Sequence, residues 1–380
     1  MPPEVEQLAL DRSDELARFL ALSGRVYEGD PRWVPPRRGA EAEALARPVF
    51  RGRQAAFLAR DGARPLARAV ARLPPGLTDP VGRPVGTVGF FEALDDPEGG
   101  EAVLAAAAGW LVERGAADIV GPMDGDTWHR YRLNVGPGDE PPFLLEPYNP
   151  SYYRGHWAAA GFRTLETYFS LRVDEPARAR QALAPAAGRA AAAGYRLEPV
   201  DGRRLPEALD RIYELSRTVF ARNFLYTEIG RDDFRALYAG VGRLLEPGFI
   251  WLARSPGGED VGFLFAYPDR VAAVRALRGQ SGPLALLRFL ALRRRWSAVD
   301  VKTLGVLPGH RRSGVAAALM ARVYEEAERR GVAANLCLIR EGNPSGGLDG
   351  GAGRLLRRYE LLHRPAPADG GAPGPPGGTR

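Results

Sequence analysis

Two pieces of this chain occur twice, in the same order. The segment "LSGRVY" (22–27) is answered by "LSRTVF" (215–220); both share L-S-x-x-V and a following aromatic at the end of a helix-like pattern. The segment "NPSYYRGHWAAAGFRTLETYFSL" (149–171) is answered by "NPSGGLDGGAGRLLRRYELL" (343–362). A third pair, "VERGAADIV" (112–120) and "ERRGVAANL" (328–336), keeps the order at a different spacing, so insertions lie at different places in the two halves. Three ordered matches make the chain a tandem repeat, and each half must then build the same architecture.

The periodicity of each half supports this. Each opens with a strand pattern (5–10 and 195–200) and an amphipathic helix, then carries two alternating strands: 55–62 and 65–73 in the first, 248–255 and 260–268 in the second. A strand, a helix, another strand and a closing strand follow in each. The expected fold class is α/β (α+β), with two mixed sheets flanked by helices. The expected units are 1–173, a helix or linker at 174–194, 195–364, and a disordered Pro/Gly-rich tail at 365–380.

Composition removes several function classes. The single cysteine, Cys337, excludes an internal disulfide. There is no Cys/His cluster, so no metal site is expected. No apolar stretch has the length of a membrane span, and the opening residues lack the basic-then-apolar pattern of a signal segment, so a cytoplasmic protein is expected. Net charge is +6. Yet the basic residues are scattered, and all but Lys302 are arginine, as in a chain shaped by GC-rich coding. Neither a nucleic-acid nor a membrane partner is expected. The segment 284–296, "LALLRFLALRRRW", reads as a basic amphipathic helix, suited to a membrane surface but better explained as packing between the halves.

One stretch carries chemistry: "LGVLPGHRRSGVAAALM" (304–320). Residues 299–306 alternate as a strand, with Asp300, Lys302, Leu304 and Val306 on one face. Pro308 ends it, and a helix follows whose apolar stripe is Ala316, Leu319, Met320, Val323 and Ala327. Unpaired N–H groups at a helix start, small residues at Gly314 and Ala316, and charge from Arg311 and Arg312 make an anion cradle suited to a diphosphate. The Walker A sequence is absent, because Val follows Gly314; so is the Rossmann glycine spacing.

The stretch resembles motif A of the GNAT acetyltransferase superfamily, V-x-P-x-x-[RQ]-x-x-G-x-[GA], filled here by Val306, Pro308, Arg311, Gly314 and Ala316. The resemblance implies an acyl-coenzyme A-dependent N-acyltransferase. The donor is acetyl-coenzyme A or another acyl-coenzyme A, and the acceptor is the amine of a small or amino-acid-like molecule. It implies a cofactor site at Leu304, Gly305, Val306, Arg311, Arg312, Ser313, Gly314, Val315, Ala316 and Asn343. The main chain of 304–306 would hold the thioester carbonyl. Asp300 stands where some members place a general base, which an amine of pKa ~10.4 requires. Acceptor contacts are expected from 221–230, at Asn223, Tyr226 and Glu228, and from the aromatic loop 124–153.

The first half matches the family at Asn149, Gly161 and Phe162 but places Asp95, Asp96 and Glu98 where motif A belongs. Carboxylates there repel a diphosphate, so only the second half is expected to bind coenzyme A. The second half in turn lacks the tyrosine that many members use to protonate the thiolate. That gap keeps open a non-catalytic acyl-coenzyme A sensor; a further alternative, an aminoacyl-tRNA-dependent peptidyl transferase of tandem type, would not need the coenzyme A loop, whose presence counts against it.

Overall fold

The computed structural model describes residues 2–136, 140–201, 204–239, 246 and 248–367. Most of the expected tail, 368–380, lies outside them. The first half runs β1 (Glu4–Leu8), α1 (Ser13–Val26), α2 (Ala40–Leu45), β2 (Gln54–Asp61), β3 (Arg64–Arg72), β4 (Val85–Ala93), α3 (Pro97–Val112), β5 (Asp118–Gly121), β6 (Leu133–Gly136), α4 (Tyr153–Ala159) and β7 (Arg163–Val173). Helix α5 (Pro176–Ala192) leads into the second half. There follow β8 (Arg196–Pro199), α6 (Leu205–Phe220), α7 (Arg231–Ala239), β9 (Ile250–Arg254), β10 (Asp260–Pro268), α8 (Val271–Arg275), α9 (Pro283–Leu292), β11 (Ala298–Val306), α10 (Val315–Arg330), β12 (Ala333–Arg340) and β13 (Gly353–Pro365).

Strands that are apolar on both faces need cover on both sides. In β2, Ala55, Phe57 and Ala59 face the cluster under α3 and α4, while Ala56 and Leu58 face the one under α1 and α2. The second half repeats this. Helices α5 and α10 bury one face against Val261, Leu264 and Val299, and α6 and α7 bury the other against Leu252, Phe263 and Phe265. The repeated fragments 22–27 and 215–220 fall at the ends of α1 and α6, in equivalent places.

Among the described residues all the strands join one 13-stranded mixed sheet, ordered β1-β2-β3-β4-β5-β13-β7-β12-β11-β10-β9-β8, with β6 paired to β13. Replace each strand by its counterpart in the other half, and the same order reads backwards. The closing strands are exchanged: β13 lies against β5 of the first half, and β7 lies against β12 of the second. The two pair with each other antiparallel from Gly353↔Val173 to His363↔Arg163. The expected pair of sheets is thus a single continuous one.

Candidate active site

Strands β11 and β12 run parallel and paired only from Ala298↔Ala333 to Val301↔Leu336, and then diverge. A bulge drives this. Val301 sits opposite Ala266 and Thr303 opposite Phe265, leaving Lys302 as the extra residue. A bulge bends its strand and re-aims the side chain that it carries. On the facing strand, Leu338 takes a left-handed φ of 59°, at a register shift against β7. The wedge between the strands is lined by Lys302, Thr303, Leu304, Cys337 and Leu338 and opens into a cavity of about 1270 Å³. Met320, Asn343 and Leu348 line its near end; Tyr27, Trp128, Tyr148 and Phe220, from both halves, line the far end.

In the first half, the corresponding wedge is shut. Beyond β5 the chain returns to β4: Met123 N–H donates to Val88 O at 2.8 Å, and Phe90 N–H donates to Asp124 Oδ1 at 2.7 Å. The start of α3 is also taken, because Asp96 accepts from Gly99 N–H at 2.8 Å. The chain's own carboxylate occupies the place of an anion.

At the start of α10 the structure places the motif residues differently from one another. Gly314 has a left-handed φ of 89°, and a Cβ there would overlap the carbonyl oxygen of Ala186 in α5. Its missing side chain serves the close approach of α5, which runs antiparallel along α10. Arg311 folds back onto the carbonyls of Val306 (3.3 Å) and Val219 (3.4 Å). Val306 and Val315 are buried in the core, and Gly305 lies against Phe263 and Val219. Arg312 is exposed, and Ser313 and Ala316 are half-buried. Asn343 caps the following 3₁₀ turn by accepting from Ser345 N–H at 2.9 Å.

Asp300, the expected base, does not line the cavity. It is fully buried, and it accepts from Asn335 Nδ2 at 2.8 Å. Burial, and then the charge of Asp269, push its pKa well above the usual carboxylate range. That shift favours the protonated carboxyl, and a protonated carboxyl accepts no proton from an amine. Its neighbour Lys302 does line the cavity, and it makes no hydrogen bond or ion pair among the described residues. Removal from water, and then Arg132, lower its pKa. Cys337 is also in the wall, its thiol pushed up by burial.

The first-half loop 142–148 threads into the second half and is fastened there. Tyr267 OH donates to Leu144 O at 3.1 Å, and Leu144 N–H donates to Asp269 Oδ1 at 3.1 Å. Glu146 pairs with Arg357 Nε at 2.6 Å, accepts from Tyr359 OH, and accepts from Phe143 N–H at 2.9 Å. Burial raises its pKa to about 7 against the pull of Arg357. Sequence reading placed this loop in the acceptor wall but did not single out Glu146, whose partners lie on β13.

Of the acceptor residues, Asn223 and Tyr226 line the cavity, and the Tyr226 hydroxyl has no hydrogen-bond partner among the described residues. Trp128 holds their loop by donating from Nε1 to Thr227 O at 2.9 Å. Glu228 lies outside, exposed and paired with Arg217 at 2.6 Å, because the chain turns away after Thr227.

No family model matches the chain. It is 26% identical over 281 residues to a bacterial ceramide synthase of Caulobacter vibrioides, covering 73% of each. It is 26% identical over 152 residues to protein YghO of Escherichia coli, covering 39% of each. Among solved structures it is similar to a tandem GNAT protein from the clavulanic acid biosynthesis pathway, with a TM-score of 0.53 and 16% identity over 96% of this chain and 100% of that one. It is also similar to the GCN5-related glucosamine N-acetyltransferase region of a fungal multi-domain GH3 β-N-acetylglucosaminidase. There the TM-score is 0.53 and the identity 16%, over 95% of this chain and 38% of that one.

Proposed function

We propose that this chain, which has the tandem GNAT fold, is an acyltransferase that moves an acyl group from an acyl-coenzyme A to the amine of a long-chain, lipid-like acceptor. The observation that carries this reading is the open wedge of the second half, with an unpartnered lysine at its bulge and a cavity shared by both halves. A cavity of about 1270 Å³ exceeds the roughly 300–1,000 Å³ of a drug-sized site, and its far wall is largely aromatic. The relative named as a ceramide synthase points the same way. The acceptor class therefore moves from the small amine expected of the sequence to a long-chain one. A coenzyme A donor puts the reaction in the cytoplasm.

The residues present suit the donor unevenly. The wedge accepts an extended, largely apolar arm between Thr303, Leu304 and Leu338, with Met320 and Leu348 also in the cavity wall. Helix α5 covers Gly314, so a diphosphate reaches the loop from the side of Arg312 and Ser313. On β11 beyond Val301, alternate peptide groups point toward the wedge, where one N–H polarises the thioester carbonyl. The amine nitrogen attacks that carbonyl carbon; a C–N bond forms, the C–S bond breaks, and sulfur leaves as a thiolate that takes a proton from solvent. Lys302, whose pKa removal from water lowers, is the base that accepts the proton the amine nitrogen gives up as the C–N bond forms.

The test is thiol release by the purified protein, with acyl-coenzyme A of graded chain length and a panel of short and long-chain amines. Mass spectrometry identifies the amide. Turnover confined to long-chain amines is expected. Stoichiometric acyl-coenzyme A binding without turnover on any amine would replace this reading with the sensor.

A further inference from the structure

Helix α9 turns its apolar side away from the protein. At about 100° per residue, Ala285, Phe289 and Leu292 fall on one side, and these are its buried and half-buried positions. The opposite side carries Leu284, Leu286, Leu287 and Leu290, which are 61%, 54%, 64% and 40% exposed. Interdomain packing, the expectation from sequence, would have buried them. Arg288 and Arg293 border the leucine face on its two edges, and Arg294 and Arg295 follow directly; all four are exposed. None has a carboxylate within ion-pair distance among the described residues, whereas the nearby Arg270 and Arg330 share Glu246.

The position of the helix gives this surface a purpose. The turn that launches α9 is fastened to the cavity wall: Arg38 N–H donates to Gly279 O at 3.0 Å, and a Cβ on Gly279 would lie 2.6 Å from Pro36 O. Pro36 itself lines the cavity. Contiguous exposed leucines rimmed by unpaired cations suit neither bulk water nor a neutral protein surface. They match the interface of an anionic bilayer, where apolar side chains enter the headgroup boundary and arginines meet phosphates.

We propose that α9, with Arg288 and Arg293–Arg295, docks this protein on the surface of an anionic membrane beside the rim of its cavity. The inference stands on this surface alone and is tested without substrate, so its failure leaves the acyl-transfer reading untouched. A helix this short gives reversible, salt-sensitive binding rather than insertion.

Co-sedimentation of the full chain is measured with vesicles of phosphatidylcholine alone and of equal parts phosphatidylcholine and phosphatidylglycerol. Binding is expected only to the mixed vesicles and is lost in about 1 M salt, where screening falls to ~3 Å. Leu286→Ser/Leu287→Ser should abolish it. Arg288→Gln/Arg293→Gln/Arg294→Gln/Arg295→Gln should weaken it by roughly fivefold per arginine. Both variants change exposed positions, and unchanged thermal unfolding confirms their fold. Absence of binding, equal binding to both vesicles, or wild-type binding by the variants overturns the proposal. So does a dimer in light scattering that the leucine variant dissolves, which would make α9 an interface between two copies.

Discussion

Asp300 and Lys302 are two residues apart on one strand, and burial treats them oppositely. It raises the carboxyl's pKa and lowers the amine's, in each case favouring the neutral form. Asp300 therefore favours holding its proton, and its Oδ1 accepts the hydrogen bond from Asn335. Asp300→Asn keeps an acceptor for Asn335, so kcat/KM at neutral pH should stay within about threefold of wild type; a loss of ~10²–10⁴ would restore it as the base. Its stability has a sign that can be checked. The native state keeps a proton that the unfolded chain releases above about pH 4, so the contribution is full below that value and is lost as pH rises through the raised native pKa. Asn has no proton to lose. The Tm of Asp300→Asn relative to wild type should accordingly climb with pH. Lys302→Met, in contrast, should lower kcat by ~10²-fold or more and remove the limb of the pH–rate profile in which activity rises through the lysine's lowered pKa. An unchanged profile would take Lys302 out of the reaction. That Lys302 stands alone among 52 basic residues was visible in the sequence; that a bulge aims it into the wedge was not.

At the scale of elements, the strand–loop–helix around residues 299–330 was legible because its signals are local: alternation, a proline stop, a glycine, an i,i+3/i+4 stripe. What lies against it was not, because α5 arrives from more than a hundred residues away. Gly314 shows the consequence. Motif reading gave its lack of a side chain to a diphosphate, whereas the space is filled by Ala186. Gly314→Ala should therefore lower stability by about 2 kcal/mol or more, through overpacking and a strained left-handed alanine, whether or not donor is present. Urea unfolding measures this. Arg312, exposed and without an ion-pair partner among the described residues, separates binding from folding. Arg312→Glu should leave Tm unchanged and weaken acyl-coenzyme A binding by about tenfold or more, as expected from a charged hydrogen bond of 1.5–3 kcal/mol. Equal affinity by calorimetry would mean that the diphosphate does not use this loop.

At the scale of the molecule, the repeat told how many times the architecture occurs but not which half owns each closing strand. Strands β7 and β13 carry matching sequence patterns, and local alternation is satisfied whichever sheet they join; only the three-dimensional pairing distinguishes the outcomes. The exchange has a thermodynamic result. Neither half's sheet closes without a strand from the other: β5 ends in β13, and β12 ends in β7. Unfolding the first half strips β12 of its neighbour, and unfolding the second strips β5. Glu146 adds a buried tie, since loosening β13 leaves its carboxylate without Arg357 and Tyr359. The two halves should therefore melt together despite a length that ordinarily permits independent domains. Trp110 and Trp157 lie in the core of the first half, and Trp296 packs on that of the second. Each fluorescence can be isolated by replacing the other tryptophans with phenylalanine. The two denaturation curves in urea should coincide, with one midpoint and a slope appropriate to the whole chain. Two separated midpoints would mean that the exchanged strands detach at little cost, and that each half holds its sheet without the other.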